Sequence, residues 1–284
     1  MMQPPLPPPP TNKITTQLGG RTFAAHVKIV DDKATTDAVQ LAFEQQLQEY
    51  QTASIPMEST IGITTRERVL ARMTGVCCDW VQSVAGAADS SRCHFLTSGS
   101  YRLGVHEPGA DIDTIVVAPN VCQRSDFFGT VSDSDIRDPS SLAERIRNHP
   151  DVTNFVPVEG AAVPLLTFDW EGINIDLLFA RLATHTVPVD FDVNNDSVLD
   201  GVDSATEKSL NGPRVTNLIA EFCSGTPQRY ATFLATVRCV RKWAKAKGLY
   251  SNKMGYWVCD KQMQSCRLPR ALLSSSVISP LVSH

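Results

Sequence analysis

Residues 98–119 read SGSYRLGVHEPGADIDTIVVAP, and the fold turns on how they are interpreted. The run Thr-Ile-Val-Val-Ala over 114–118 is apolar and β-branched, is closed by Pro119, and predicts a buried strand. Side chains alternate faces along a strand, so Asp111 and Asp113 share one face while Ile112 turns into the core behind them. Two carboxylates held together repel unless a cation or a shared proton lies between them. A small divalent ion such as Mg²⁺ suits the position, because it takes a few hard carboxylate oxygens together with phosphate oxygens of a substrate. Taken alone, a D-x-D pair is more often the mark of a solvated turn. The Gly99-Ser100 turn upstream tips the reading, since backbone N–H groups in such turns hold phosphate oxygens.

Further along, two apolar runs, 163–169 and 173–180, flank a Trp-Glu-Gly turn and predict a β-hairpin. In its second strand Ile173, Ile175 and Leu177 face one way and Asn174, Asp176 and Leu178 the other. A charged Asp176 inside I-N-I-D-L-L-F is out of pattern for a buried strand and asks for a partner. If that strand neighbours the one carrying Asp111 and Asp113, three carboxylates converge, as a two-metal mechanism requires.

The remaining elements frame this pair of strands. Helices are predicted over 38–50 and over 62–84, the second opened by a Thr64–Glu67 capping box and striped by Val69, Met73, Val76, Trp80 and Val84. Short helices follow at RSDFF (124–128) and over 141–148. Residues 188–204 read as an acidic loop, Asn211-Gly212 by itself as a turn, and 228–246 as a helix with Phe233, Val237, Val240 and Ala244 along one stripe.

Composition bounds the class. The 284 residues are 42% hydrophobic and 20% charged, the content of a globular chain able to bury a substantial core. No run approaches the roughly 18 to 20 apolar residues of a membrane helix, and MMQPPLPPPP has neither a basic nor an apolar signal region, so no membrane association and an intracellular protein are expected. Six prolines in the first ten residues predict a disordered tail over 1–25. Eight cysteines with no C-x-x-C and no paired Cys/His spacing argue against structural zinc, and in an intracellular chain reduced thiols are the default, with Cys77 and Cys78 as small core residues. Net charge is −4, yet 222–259 holds seven Lys or Arg and no Asp or Glu, a locally basic stretch on an acidic whole.

Gly-Ser followed by G-x-D-x-D resembles the signature of the polymerase-β-like nucleotidyltransferases, and GSYRLGVHEPGADID is similar to the eukaryotic poly(A) polymerases in particular. RSDFF, FVPV (155–158), INIDLLFARLA (173–183), SLNGPRVTN (209–217) and RKWAKAKGLYSN (241–252) extend the resemblance over roughly 62–256. It implies an α/β (α+β) fold: a nucleotidyltransferase sheet with flanking helices over 60–182, and part of a helical central domain over 26–59 and 183–256. The implied activity is template-independent transfer of AMP from ATP to the 3′-hydroxyl of RNA, as in mRNA polyadenylation, with two Mg²⁺ or Mn²⁺ ions on Asp111, Asp113 and Asp176. Nucleotide contacts are implied at Ser98, Gly99, Ser100, Glu107, Asn211, Arg241 and Tyr250. The RNA 3′ end, ATP and mRNA 3′-end processing factors are the implied partners, and the nucleus the implied location.

Departures from the family pattern are Ser98 where an aromatic is usual, Glu107 near the phosphates, and Arg241 in place of Lys, whose point charge a planar guanidinium does not reproduce. Residues 257–284 match nothing in the family, so a chain truncated or divergent after about 256, without the RNA-binding domain, is expected. Two other functions fit the residues: an inactive fragment serving as a binding or regulatory module, and a related nucleotidyltransferase using another nucleotide or RNA.

Overall fold

A computed structural model describes residues 11–18, 21–28, 38–86, 93–131, 137–224 and 227–250. The chain divides into two compact units, one reaching Tyr50 and the other beginning at Gln51. The first holds an antiparallel pair, β1 (Thr11–Leu18) and β2 (Arg21–Lys28), and most of helix α1 (Ala38–Ser54). These strands replace the tail expected up to residue 25. The alternating, β-branched stretch TNKITTQL before Gly19-Gly20 is a hairpin signal that the neighbouring prolines masked. The first ten residues, and 251–284 with the divergent tail, lie outside the described residues.

The second unit is built on α2 (Thr60–Ala85) and a five-stranded sheet of β3 (His94–Thr97), β4 (Ile112–Ala118), β5 (Val152–Val158), β6 (Leu165–Trp170) and β7 (Ile173–Arg181). Strand order is β3-β4-β7-β6-β5, with β4 and β7 parallel and every other pair antiparallel. The β6–β7 turn is the predicted Glu171-Gly172, both at positive φ (49° and 77°), the conformation a two-residue hairpin demands. Between β4 and β6 lie α4 (Arg124–Phe128) and α5 (Leu142–Arg147), where the sequence placed them. After the sheet come α6 (Ser204–Cys223) and α7 (Pro227–Ala246).

Period-two alternation gives the sheet two apolar faces. Val116, Ala118, Ile175, Leu177 and Phe179 pack with Val69, Met73, Cys77, Trp80 and Val81 of α2 and with α4 and α5. Ile115, Val117 and Ala180 point the other way, onto Leu182, Val187, Val193 and Leu210 of α6. Trp80 is fully buried, edge-on to Phe127 and Phe179 at 6.3 and 5.9 Å.

Three local expectations are corrected. Helix α2 starts four residues before the proposed Thr64–Glu67 box, because Ser59 accepts from the Gly62 N–H and caps it there. The Asn211-Gly212-Pro213 triplet is not a turn: α6 runs through it, burying Leu210, Gly212, Pro213, Thr216 and Ile219. Packing along that face outweighs propensity penalties of about 1 kcal/mol for Gly and about 3 kcal/mol for Pro. Cys78 is bonded to Cys93, just ahead of β3, with Cα atoms 5.5 Å apart. The absence of C-x-x-C carries no information about a pair 15 residues apart. Cys77 and Cys122 are buried and free, and burial pushes both thiols upward, Cys122 to about 12, so they behave as small apolar residues.

Trp80→Ala is expected to lower unfolding stability by about 3–5 kcal/mol, measured by urea denaturation of the full chain; a loss below ~1 kcal/mol would place the centre of the core elsewhere.

Candidate active site

The parallel pairing of β4 with β7 puts Asp113 directly beside Asp176, and Ile112 beside Ile175. Asp113 has the parity of Ile115 and Val117, and Asp176 that of Ala180, so both carboxylates lie on the face covered by α6. Asp111 joins them from the residue before β4. One ligand atom from each of Asp111, Asp113 and Asp176 lies within 4.8 Å of the others, with Asp176 buried and the other two half-buried. Three hard carboxylate oxygens at this spacing match the donor set of Mg²⁺ or Mn²⁺ and suit no soft metal.

Each aspartate is held by a different device. Arg66, 4% exposed on α2, pairs with Glu58 at 2.9 Å and donates to the Ala110 carbonyl at 2.9 Å, fixing the backbone that delivers Asp111. The Asp113 carbonyl accepts from the Ser98 N–H at 2.8 Å. Asp176 accepts at Oδ1 from the Thr167 hydroxyl at 2.7 Å, and its carbonyl accepts from the Thr114 hydroxyl at 3.0 Å.

The Gly-Ser turn abuts this centre. Ser98 precedes the short helix α3 (Gly99–Leu103), and Gly99 sits at φ +61°. A Cβ built on Gly99 would fall 2.5 Å from Asp113 Oδ2, so only glycine allows the turn and the carboxylate to approach this closely. The N–H of Ser98 is committed to Asp113, which leaves the first-turn N–H groups of Gly99 and Ser100, without intrahelical acceptors, as the donors available to an anion. Ser98 and Ser100 are both buried.

A second group of the expected residues gathers on α7. Glu107, the unfamiliar carboxylate, is neutralised by Lys245 at 2.8 Å. Lys245 Nζ and the Arg241 guanidinium lie 5.5 and 5.7 Å from the Tyr250 ring. Arg241, 3% exposed, donates to the Val105 carbonyl at 2.7 Å, and Arg238 donates to the Gly104 carbonyl at 2.5 Å. The Tyr230 hydroxyl reaches the Leu103 carbonyl at 3.4 Å. These side chains cap the C-terminal end of α3, where carbonyls lack helical partners and cations are favoured. Arg241 therefore grips the loop after the Gly-Ser turn through its bond to the Val105 carbonyl. Asn211 is half-buried on α6, next to Leu210 on the helix that covers the aspartate face. Arg102 of α3 also bonds α6, donating to Asn217 at 2.7 Å.

Sequence reasoning missed Arg66, Thr114 and Thr167. Arg66 left a signal, a charged residue three positions before Val69 on the apolar stripe of α2. Nothing distinguishes Thr114 or Thr167 from other strand threonines until the register is known.

A family model for the poly(A) polymerase nucleotidyltransferase domain matches residues 32–222. Nuclear poly(A) polymerase 1 of Arabidopsis thaliana is 38% identical over 207 residues, 70% of this chain and 27% of that protein. The poly(A) polymerase of Dictyostelium discoideum is 36% identical over 199 residues, 67% of this chain and 23% of that protein. The chain thus matches about a quarter of the length of these curated relatives. Among solved structures, the polymerase core of TRAMP, an RNA surveillance complex, gives a TM-score of 0.44 at 19% identity, over 77% of this chain and 52% of that one.

Gly99→Ala is expected to displace the Asp113 carboxylate and weaken Mn²⁺ binding roughly 10-fold or more. Gly104→Ala, at φ +77° with nothing within 4 Å of the new Cβ, is expected to cost only backbone strain of about 1–2 kcal/mol. Calorimetric Mn²⁺ titration with thermal unfolding of both variants separates the effects; equal Mn²⁺ affinities would contradict the contact.

Proposed function

Because the chain belongs to the poly(A) polymerase nucleotidyltransferase family, we propose that it transfers AMP from ATP to the 3′-hydroxyl of RNA without a template. The observation that carries this is the convergence of Asp111, Asp113 and Asp176 within 4.8 Å across the parallel β4–β7 pair. Those carboxylates would hold two divalent ions, Mg²⁺ or Mn²⁺, which when bound lower the pKa of a hydroxyl and offset the charge of a triphosphate and its leaving pyrophosphate.

The chain's own residues do the rest. Asp176, oriented by Thr167, is the acceptor for the proton of the RNA 3′-hydroxyl, whose oxygen then forms the bond to the α-phosphorus as the bond to pyrophosphate breaks. Gly99 and Ser100 N–H groups, beside Ser98, donate to phosphate oxygens next to the aspartates. Asn211 on α6 and Tyr250, braced by Arg241 and Lys245, meet the nucleoside, and the Glu107–Lys245 pair keeps a carboxylate from facing the phosphates uncompensated.

In this reading 60–182 is the catalytic domain, and 26–59 with 183–256 supply part of a helical central domain. The RNA 3′ end and ATP are the substrates, and mRNA 3′-end processing factors are the partners. A nuclear setting is supported by relatives named nuclear poly(A) polymerases. No helix among the described residues is long and apolar enough to cross a membrane.

The test is primer extension on a labelled RNA oligonucleotide with each NTP separately and Mg²⁺ or Mn²⁺. Extension with ATP, weak extension with the other three, and a loss of at least about 10³-fold in Asp111→Ala/Asp113→Ala are expected. Preferential use of UTP, or a double variant as active as the wild type, would overturn the proposal.

A further inference from the structure

We infer that Thr167 is a positioning residue, its hydroxyl fixing the Asp176 carboxylate in the orientation that brings it to Asp111 and Asp113. The inference rests on the AMP-transfer reading for its chemistry; its geometry stands on the sheet alone. In the antiparallel β6–β7 pair Thr167 is directly opposite Asp176. Cross-strand neighbours have Cβ atoms about 4.5–5.5 Å apart, and diagonal neighbours about 7–8 Å, so a side chain as short as Thr reaches the carboxylate only from this position. The 2.7 Å distance to Oδ1 is that of a short hydroxyl-to-carboxylate bond.

Two features make this bond matter. Asp176 is 6% exposed, so bulk water does not solvate its carboxylate, and a buried carboxylate needs donors. The torsion that turns a carboxylate is broad and soft, so a hydrogen bond must select its angle. The main chain of the same residue is held separately, by the Thr114 hydroxyl on its carbonyl at 3.0 Å, with Thr114 fully buried. One threonine from each neighbouring strand thus grips Asp176, Thr114 by the backbone and Thr167 by the carboxylate. The other polar residue on that face of β6, Asp169, is turned to Asn154 and Asn174 at 2.6 and 2.9 Å. Valine would serve a strand equally well by propensity, so the hydroxyl is the feature the position uses.

Metal ligands are oriented by such outer partners, whose loss typically costs 10–100-fold in metal affinity or activity. The test uses the full chain with Thr167→Val, Thr167→Ser and, for loss of the hydroxyl without added bulk, Thr167→Ala. Mn²⁺ binding is read by electron paramagnetic resonance, folding by thermal unfolding, and AMP transfer by kcat and KM for ATP. Expected are Mn²⁺ affinity and kcat reduced roughly 10-fold or more in Thr167→Val or Thr167→Ala, whichever folds as wild type. KM for ATP should change little, and Thr167→Ser should restore both losses. Wild-type Mn²⁺ affinity in a folded variant without the hydroxyl overturns the inference whether or not the chain transfers AMP. Weakened Mn²⁺ binding in that variant, with no transfer by the wild type, upholds the role of Thr167 and overturns the AMP-transfer reading.

Discussion

Three carboxylates within 4.8 Å of one another repel, each pair by on the order of 3 kcal/mol at an effective dielectric of about 20. An arrangement so unfavourable persists only where the surrounding structure enforces it and a cation or a shared proton offsets it. The enforcing element is the parallel register of β4 and β7, which sets Asp113 against Asp176 while Ile112 and Ile175 anchor the same step of the ladder in the core. Slipping β4 by one residue would turn Asp113 away from Asp176, toward α2 and the Trp80–Phe127–Phe179 cluster.

Much of the remaining architecture maintains this point. Arg66 anchors the loop that carries Asp111, and Gly99 leaves room for Asp113. Helix α6 closes the aspartate face through Leu210, and α7 holds the far end of α3 through Tyr230, Arg238 and Arg241. The basic stretch on α7, which by composition resembles a surface for phosphates, spends much of its charge on protein carbonyls and on Glu107. Burial lowers the pKa of Arg238, yet the guanidinium remains a donor to Gly104.

The elements legible in the sequence were those with local signals. The D-I-D triplet running into Thr-Ile-Val-Val-Ala, the stripe of α2, the Glu171-Gly172 hairpin and the misplaced charge of Asp176 each follow from periodicity or turn chemistry within about 25 residues. Adjacency of β4 and β7 was conditional, because residues 119–172, with α4, α5, β5 and β6, intervene and only tertiary packing decides which strands meet. The Cys78–Cys93 bond, the carbonyl grip of Arg241 and the threonine pair on Asp176 depend on that same long-range register. Asn211 looked like a turn because Asn-Gly-Pro breaks helices locally, and burial of Leu210, Thr216 and Ile219 overrode it. The β1–β2 pair was hidden by the proline run before it.

The most direct test of the account is anomalous diffraction from crystals of the full chain grown with Mn²⁺ and a non-hydrolysable ATP analogue. The account predicts Mn²⁺ peaks bound by Asp111, Asp113 and Asp176 together, at oxygen distances of about 2.0–2.2 Å, with the triphosphate against the Gly99-Ser100 turn. Mn²⁺ located away from these carboxylates, or held by Asp111 and Asp113 with Asp176 turned to other partners, would contradict it.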